Sequence, residues 1–312
     1  MDRPELTLEG DQAQAEVADA GRRTTSRRDL SRSPTFTELS PQVGELDETA
    51  FEAALAADAD AALSLLAEMA GATDERLRAL ARRLAGRVAV RLTRRGPARQ
   101  RGTGRLRRVP LQPGGDLDVE GSLDALFAAS ASGQPPALED LRGTAWLRPA
   151  VAVCLVVDRS GSVGGQRLAS ASLAAAAVAL RAPGDHSVIV FSDKAVVLKS
   201  QDQPRAVSAV VDDLLQLRGH GVTDLAVALD AARAQLERST AARRLVVLLT
   251  DGRATAGPDP APYARRLDEL LVVAPADDAE QARAFALAVG ASFSTLAGPS
   301  DVPRALELLA DG

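Results

Sequence analysis

Val151-Ala-Val-Cys-Leu-Val-Val157 constrains the fold more than any other stretch of this chain. Seven consecutive apolar residues, four of them valine, leave no polar face, so the run predicts a strand buried on both sides of a parallel sheet. At its carboxyl end the chain turns polar at once. Asp158-Arg-Ser160-Gly-Ser162 delivers one carboxylate and two hydroxyls at alternate positions. Ligand sites of open α/β sheets lie at that edge. All three groups offer oxygen, which suits a hard ion such as Mg²⁺, Mn²⁺ or Ca²⁺ rather than zinc.

The remainder of the C-terminal half repeats strand and helix in alternation. Strands are predicted at 187–191, 195–198, 244–249, 270–273 and 292–295. Helices are predicted at 166–181, from Pro204 to about Leu217, at 225–236, at 277–289 and from about 301. That order is the signature of a doubly wound α/β domain, a mainly parallel, Rossmann-like sheet covered on both faces, here over 147–312. Ahead of it the pattern changes. Residues 1–45 are polar and centred on Arg22-Arg23-Thr-Thr-Ser-Arg27-Arg28, and they predict a mobile tail. From 46 to 92 a helical period takes over, with Phe51, Leu55, Ala62, Leu66 and Met69 near one face. Gly71 closes that helix, and Thr73-Asp-Glu75 opens a second carrying Leu77, Leu80, Ala81, Leu84 and Val88. The expected result is a helical hairpin whose stripe packs internally. Residues 93–146 read as a basic linker with one short helix near 117–127. The arginines from Arg91 to Arg108 have no acidic residue among them, and glycines with Pro97 argue against a helix.

Three segments then converge: Asp158-Arg-Ser160-Gly-Ser162, Thr223-Asp224 after a glycine loop, and Thr250-Asp251-Gly252 after an apolar strand. Together they resemble the metal-ion-dependent adhesion site (MIDAS) of von Willebrand factor A domains, over roughly residues 148–312. The resemblance implies that Asp158, Ser160, Ser162, Thr223 and Asp251 hold Mg²⁺ directly or through water, with Mn²⁺ as a possible substitute. It also implies that an acidic residue from another protein completes the shell. Gly161 would let the loop turn closely around the ion, and Gly252 would free the backbone after Asp251. Arg159 and Arg253 stand beside these ligands, either as a cationic rim welcoming to acid or as ordinary solvated surface.

Within that family, Leu138-Glu-Asp-Leu-Arg142, Leu248-Leu-Thr-Asp-Gly-Arg-Ala-Thr255 and Ala288-Val-Gly-Ala-Ser-Phe293 look like parts of the D subunit of magnesium chelatase. The stretch from the arginine run through Asp116-Leu-Asp118 is similar to that subunit's linker and to stand-alone bacterial proteins of the CoxE type. The chelatase subunit carries an AAA+-like domain ahead of its linker, which residues 1–92 are too short to supply. The resemblance therefore implies an accessory to a separate AAA+ ATPase of the chelatase or MoxR type, acting in remodelling or metal insertion. A magnesium or cobalt chelatase subunit without its AAA+ domain is the alternative within the family. Outside it, the arginine run could grip nucleic acid phosphates, although no aromatic residue lies within the run to stack on bases.

Other chemistries fail on residues. A dehalogenase-type phosphatase needs an aspartate where Ser160 stands, no G-x-x-x-x-G-K-[ST] is present, and Ser160 lies outside any G-x-S-x-G elbow. His186 and His220 are the two histidines; the first begins a strand and the second sits near Thr223. A single cysteine, Cys154, excludes an internal disulfide and reads as a core thiol. The N-terminus lacks a signal pattern and no apolar run reaches the roughly 18 residues of a membrane span, so a cytoplasmic, non-catalytic interaction protein is expected.

Overall fold

The computed structural model describes residues 4–95, 105–111, 116–132, 135–137, 140–147, 151–159, 165–217 and 221–306. In chain order the strands are β1 (Thr7–Leu8), β2 (Arg105–Pro110), β3 (Asp116–Leu117), β4 (Arg142–Leu147), β5 (Val151–Asp158), β6 (His186–Phe191), β7 (Ala195–Lys199), β8 (Arg243–Leu249), β9 (Glu269–Pro275) and β10 (Ser292–Leu296). The first α-helices are α1 (Asp11–Ala20), α2 (Arg27–Leu30), α3 (Pro34–Leu39), α4 (Glu48–Ala57), α5 (Ala59–Met69), α6 (Glu75–Arg95) and α7 (Leu123–Ser132). Those after β5 are α8 (Gly165–Arg181), α9 (Val207–Gln216), α10 (Leu225–Leu236), α11 (Ala261–Ala264), α12 (Glu280–Val289) and α13 (Val302–Ala305). The described residues between Met1 and Ala98 and between Val151 and Ala310 form one compact unit, and those between Arg99 and Ala150 form another.

The first unit is built on a seven-stranded sheet of order β1-β7-β6-β5-β8-β9-β10. Strands β6, β5, β8, β9 and β10 are parallel, β7 returns antiparallel to β6, and β1 runs parallel to β7. The apolar run beginning at Val151 is therefore the central strand, as its composition requires. Its side chains alternate between two cores. Val153, Leu155 and Val157 join the cluster containing α5, α6, α8 and α9 residues, whereas Ala152, Cys154 and Val156 join that of α10, α11 and α12. Each fully buried valine or leucine contributes roughly 1.5–3 kcal/mol.

Helix α8 explains its own alanine content. It is sandwiched between the sheet and the N-terminal helices, so thirteen of its seventeen residues are buried, and a helix apolar all round is an interior helix. The outer layer is α5 and α6, which pack on α8 and α9. Small residues permit the approach: a Cβ at Gly86 of α6 would meet the Ser208 side chain of α9 at 3.4 Å.

Three expectations are corrected here. Residues 5–40 are structured rather than a tail: Ala13, Val17, Leu30, Phe36 and Leu39 are buried in the main core. Their apolar spacing is too sparse for a single amphipathic helix, because it is shared among three short ones. The helix expected through Phe51 to Met69 is two, broken at Asp58, whose carboxylate accepts from the Ala61 N–H and caps α5. Asp47 caps α4 in the same way, and Asp74 caps α6 at the position expected for a helix start. Lastly, the arginine run is not uniformly irregular. Arginine is a good helix former, α6 continues to Arg95, and Arg105–Pro110 is a strand; Arg99 and Arg101 lie outside the described residues.

The second unit contains a three-stranded antiparallel sheet, β2-β4-β3, with β2 and β4 paired from Arg105–Leu147 to Pro110–Arg142. The Ser122 hydroxyl, just before α7, accepts from Arg142 N–H at 2.9 Å and so ties the helix start to β4. Among the described residues no helix is long and apolar enough to cross a membrane.

Candidate metal centre at the carboxyl edge of the sheet

Asp158 is the last residue of β5, the strand flanked by β6 and β8, so its carboxylate stands at the middle of the carboxyl edge. The neighbouring strand fixes its orientation. Thr250, the residue after β8, donates its hydroxyl to Asp158 Oδ2 at 2.7 Å and accepts from Gly252 N–H at 3.0 Å. One hydroxyl thus links the central carboxylate to the turn that carries Asp251. Asp251 Oδ1 accepts from Arg253 N–H at 3.0 Å, and its Oδ2 lies 3.8 Å from an Arg167 guanidinium nitrogen in the first turn of α8. Gly252 adopts φ +81°, and a Cβ there would lie 2.4 Å from the Ala282 backbone nitrogen. The turn after Asp251 therefore needs glycine for both its handedness and its close approach to α12.

Thr223 comes from the loop before α10 and is 2% exposed. Its backbone is fastened to the Asp251 loop: Thr223 N–H donates to Thr255 Oγ1 at 2.9 Å, and the Thr255 and Ala256 N–H groups donate to Thr223 O at 3.0 and 3.1 Å. Asp224 faces inward, its N–H donating to Ser192 O at 2.8 Å and its carboxylate accepting from Val227 N–H to cap α10. Gly257, at φ +80°, packs against that carboxylate with no room for a Cβ.

Asp158 and Asp251 line one cavity of about 380 Å³, together with Gln166, Arg167, Thr250 and the ends of β9 and β10. Thr223 is not among its lining residues but belongs to the loop pair just described. Ser160, Gly161 and Ser162 lie outside the described residues, as does His220. Among the described residues no group of three or more His, Cys, Asp or Glu side chains could hold a metal. What the described part of the carboxyl edge offers is the carboxylates of Asp158 and Asp251 with the Thr250 hydroxyl between their segments. Oxygen-only donors fit a hard divalent ion, whose charge the two carboxylates just balance.

The flanking arginines differ: Arg159 turns inward, whereas the Arg253 side chain is 54% exposed. Arg159 is 5% exposed, donates its backbone N–H to Phe191 O, and pairs with Glu16 of α1 at 2.7 Å. Arg253 is paired with Asp278 at 2.6 Å. The partners of both arginines are remote in sequence and carry no local signal. Thr255, Arg167 and Glu16 escape sequence reasoning for the same reason, and the bond from Thr250 to Asp158 is likewise found only in the structure, although Thr250 stands inside the Thr-Asp-Gly motif. His186 is buried at the opposite, amino end of β6, with Nδ1 2.9 Å from Ala182 O. Cys154 is a core thiol, its pKa pushed up to about 12 by burial.

With the geometry in place, residues 153–253 match the family model for the von Willebrand factor type A domain. Structures similar to this chain include the von Willebrand factor domain of the type V pili tip protein Mfa5 from Porphyromonas gingivalis (12% identity, 53% of this chain and 95% of that one, TM-score 0.44). A von Willebrand factor type A protein from Catenulispora acidiphila shares 14% identity over 54% of this chain and 43% of its own, at TM-score 0.42. Proximal thread matrix protein 1 from the mussel byssus, with a zinc-occupied MIDAS motif, shares 16% identity over 52% and 47%, at TM-score 0.38. The chain spans 64% of the PilB minor pilin from Streptococcus sanguinis, at 12% identity, 55% of this chain and TM-score 0.42. No curated protein sequence matches the chain.

Proposed function

We propose, from the match of residues 153–253 to the family model for the von Willebrand factor type A domain, that the chain is a Mg²⁺-dependent protein–protein interaction module. In this reading Asp158, Ser160, Ser162, Thr223 and Asp251 hold the ion, directly or through water. A carboxylate from a partner protein fills the remaining position. The observation that carries the reading is the meeting of Asp158 and Asp251 in one cavity at the carboxyl edge, with Thr250 bridging their segments. Because the donor set only neutralises the ion, a third anionic oxygen is still attracted to it, which favours binding of an acidic side chain. Mn²⁺ substitutes for Mg²⁺ in the same oxygen shell. The partner proposed is a separately encoded AAA+ ATPase of the chelatase or MoxR type, or a client protein. The ATPase is supported by the likeness of Leu248–Thr255 and Ala288–Phe293 to the chelatase D subunit.

The test measures Mn²⁺ binding by calorimetry or electron paramagnetic resonance. Asp158→Ala removes an anionic ligand from the edge of the sheet and is expected to abolish binding with an unchanged circular dichroism spectrum. Thr223→Ala removes a neutral ligand and is expected to weaken the ion less, while releasing a co-expressed AAA+ ATPase in a pull-down as EDTA does. Unchanged Mn²⁺ affinity in Asp158→Ala sinks the assignment.

A further inference from the structure

Arg159 lies directly after the Asp158 carboxylate, yet its side chain does not join the carboxyl edge. That side chain is 6% exposed, and its guanidinium meets Glu16 Oε1 of α1 at 2.7 Å across 143 positions of sequence. Among the described residues its Nε has no hydrogen-bond partner. The guanidinium is thus a buried cation in the residue next to Asp158; Glu16 is the acid hydrogen-bonded to it, and the Asp193 carboxylate also feels its charge. A second contact lies where α8 begins. A Cβ at Gly165 would fall 2.2 Å from the Ser64 carbonyl oxygen and 2.7 Å from Glu68 Cγ, so α5 lies directly against that residue. Both described ends of the segment following Asp158 are therefore held by N-terminal helices rather than by the sheet alone.

We propose that Glu16 is a positioning residue for the metal centre. Acting through Arg159, it neutralises the buried guanidinium and fixes the backbone from which Asp158 projects. The inference rests on the metal-centre reading above and extends it to α1, which contributes no ligand. Two physical effects act in the same direction. A guanidinium that has lost Glu16 keeps only the longer-range attraction of Asp193, so more of its positive charge opposes a cation bound at Asp158. A loosened Arg159 also frees the residue that directly follows Asp158, leaving the Thr250 hydroxyl to hold that carboxylate. Linkage makes the effect reciprocal: if α1 docking strengthens the ion, the ion strengthens α1 docking.

The experiment is a Mn²⁺ titration of the full chain by electron paramagnetic resonance, with thermal melting recorded on the same samples. Glu16→Gln is expected to weaken Mn²⁺ by roughly fivefold or more. Gln14→Ala, which removes the 3.4 Å contact of α1 to Asp213, is expected to leave the affinity unchanged. Glu16→Asp keeps the charge and is expected to retain most of the affinity, so it separates electrostatics from folding if the amide variant melts early. The double variant Glu16→Gln with Arg159→Met removes the buried charge altogether and is expected to recover part of the loss. In the wild type, Mn²⁺ is expected to slow proteolysis within α1. A wild type that binds Mn²⁺ with an affinity indifferent to Glu16→Gln overturns this inference and leaves the metal centre standing. A wild type that binds no Mn²⁺ overturns both.

Discussion

Replacing Gly252 by alanine tests how tightly the turn after Asp251 is confined. The backbone there has φ +81°, a left-handed conformation that costs an L-residue roughly 1–2 kcal/mol. The added methyl would also sit 2.4 Å from Ala282 N and 2.5 Å from Ala282 Cα. Those are backbone atoms in the first turn of α12, so no flexible side chain can yield. Either α12 or the turn must move, at a cost of about 1–3 kcal/mol for forced repacking. The expected loss is about 2–5 kcal/mol. Gly290 supplies the control, since it has φ +73° at the end of α12 and an added methyl would find no atom within 4 Å. Gly290→Ala should cost only the conformational part, about 1–2 kcal/mol. Urea denaturation of both variants, compared at constant slope, isolates the contact contribution as the difference between them. Equal losses would refute the argument, because they would mean that α12 retreats freely. The two variants should also part company in Mn²⁺ affinity, which Gly252→Ala lowers and Gly290→Ala leaves alone.

Three further outcomes follow from burial. Phe36→Ala, in a segment whose composition suggests a tail, should destabilise the protein by roughly 3–5 kcal/mol by chemical denaturation, since Phe36 is 1% exposed. His186 has its pKa held below the ordinary 6.5 by burial first and by the Lys199 charge second. A depressed imidazole pKa favours the neutral form in the folded state, so its stabilising contribution is complete above pH 6.5 and is lost as pH falls through the folded value. The melting temperature should therefore drop on acidification from about pH 7.5 to about pH 5.5, and His186→Gln should flatten that drop. Cys154, fully buried with its thiol pKa raised to about 12 by desolvation, should resist alkylation at about pH 8 in buffer and label completely in denaturant.

The central sheet is legible in the sequence because its strands are written in unambiguous residues. A seven-residue apolar run cannot lie at an edge, and β5 is central. The Thr-Asp-Gly turn stands out after its apolar strand, but nothing in it tells that the Thr250 hydroxyl will bond to Asp158. What escapes is decided by partners distant in sequence. Glu16 carries no mark that it will face Arg159, and Thr255 none that it will fasten Thr223. Thr7 and Leu8 make too short a strand to show a period, and only pairing with Ala195 and Val196 defines them. Residues 27–39 look polar because their two short helices each bury just one or two side chains. Arg159 misleads for a different reason: an arginine beside a motif suggests solvent, and only its acid partner allows it inside.

Pairing of residues 7–8 with 195–196, and stacking of α5 and α6 on α8 and α9, also set a timetable for synthesis. The N-terminal helices leave the ribosome able to pack on one another, but the faces of α5 and α6 that meet α8 and α9 have no cover yet. Their cover is not finished until Gln216, the last residue of α9, has been made. About 120 residues separate the end of α6 from that point, on the order of ten seconds of translation at about 5–20 residues per second. For that interval Phe51, Leu66 and Leu84 belong to a nascent chain without its core, a period in which a chaperone that binds short apolar helices has its opportunity. Slowing translation before α8 should lengthen this exposure, whereas the same pause after α9 should not.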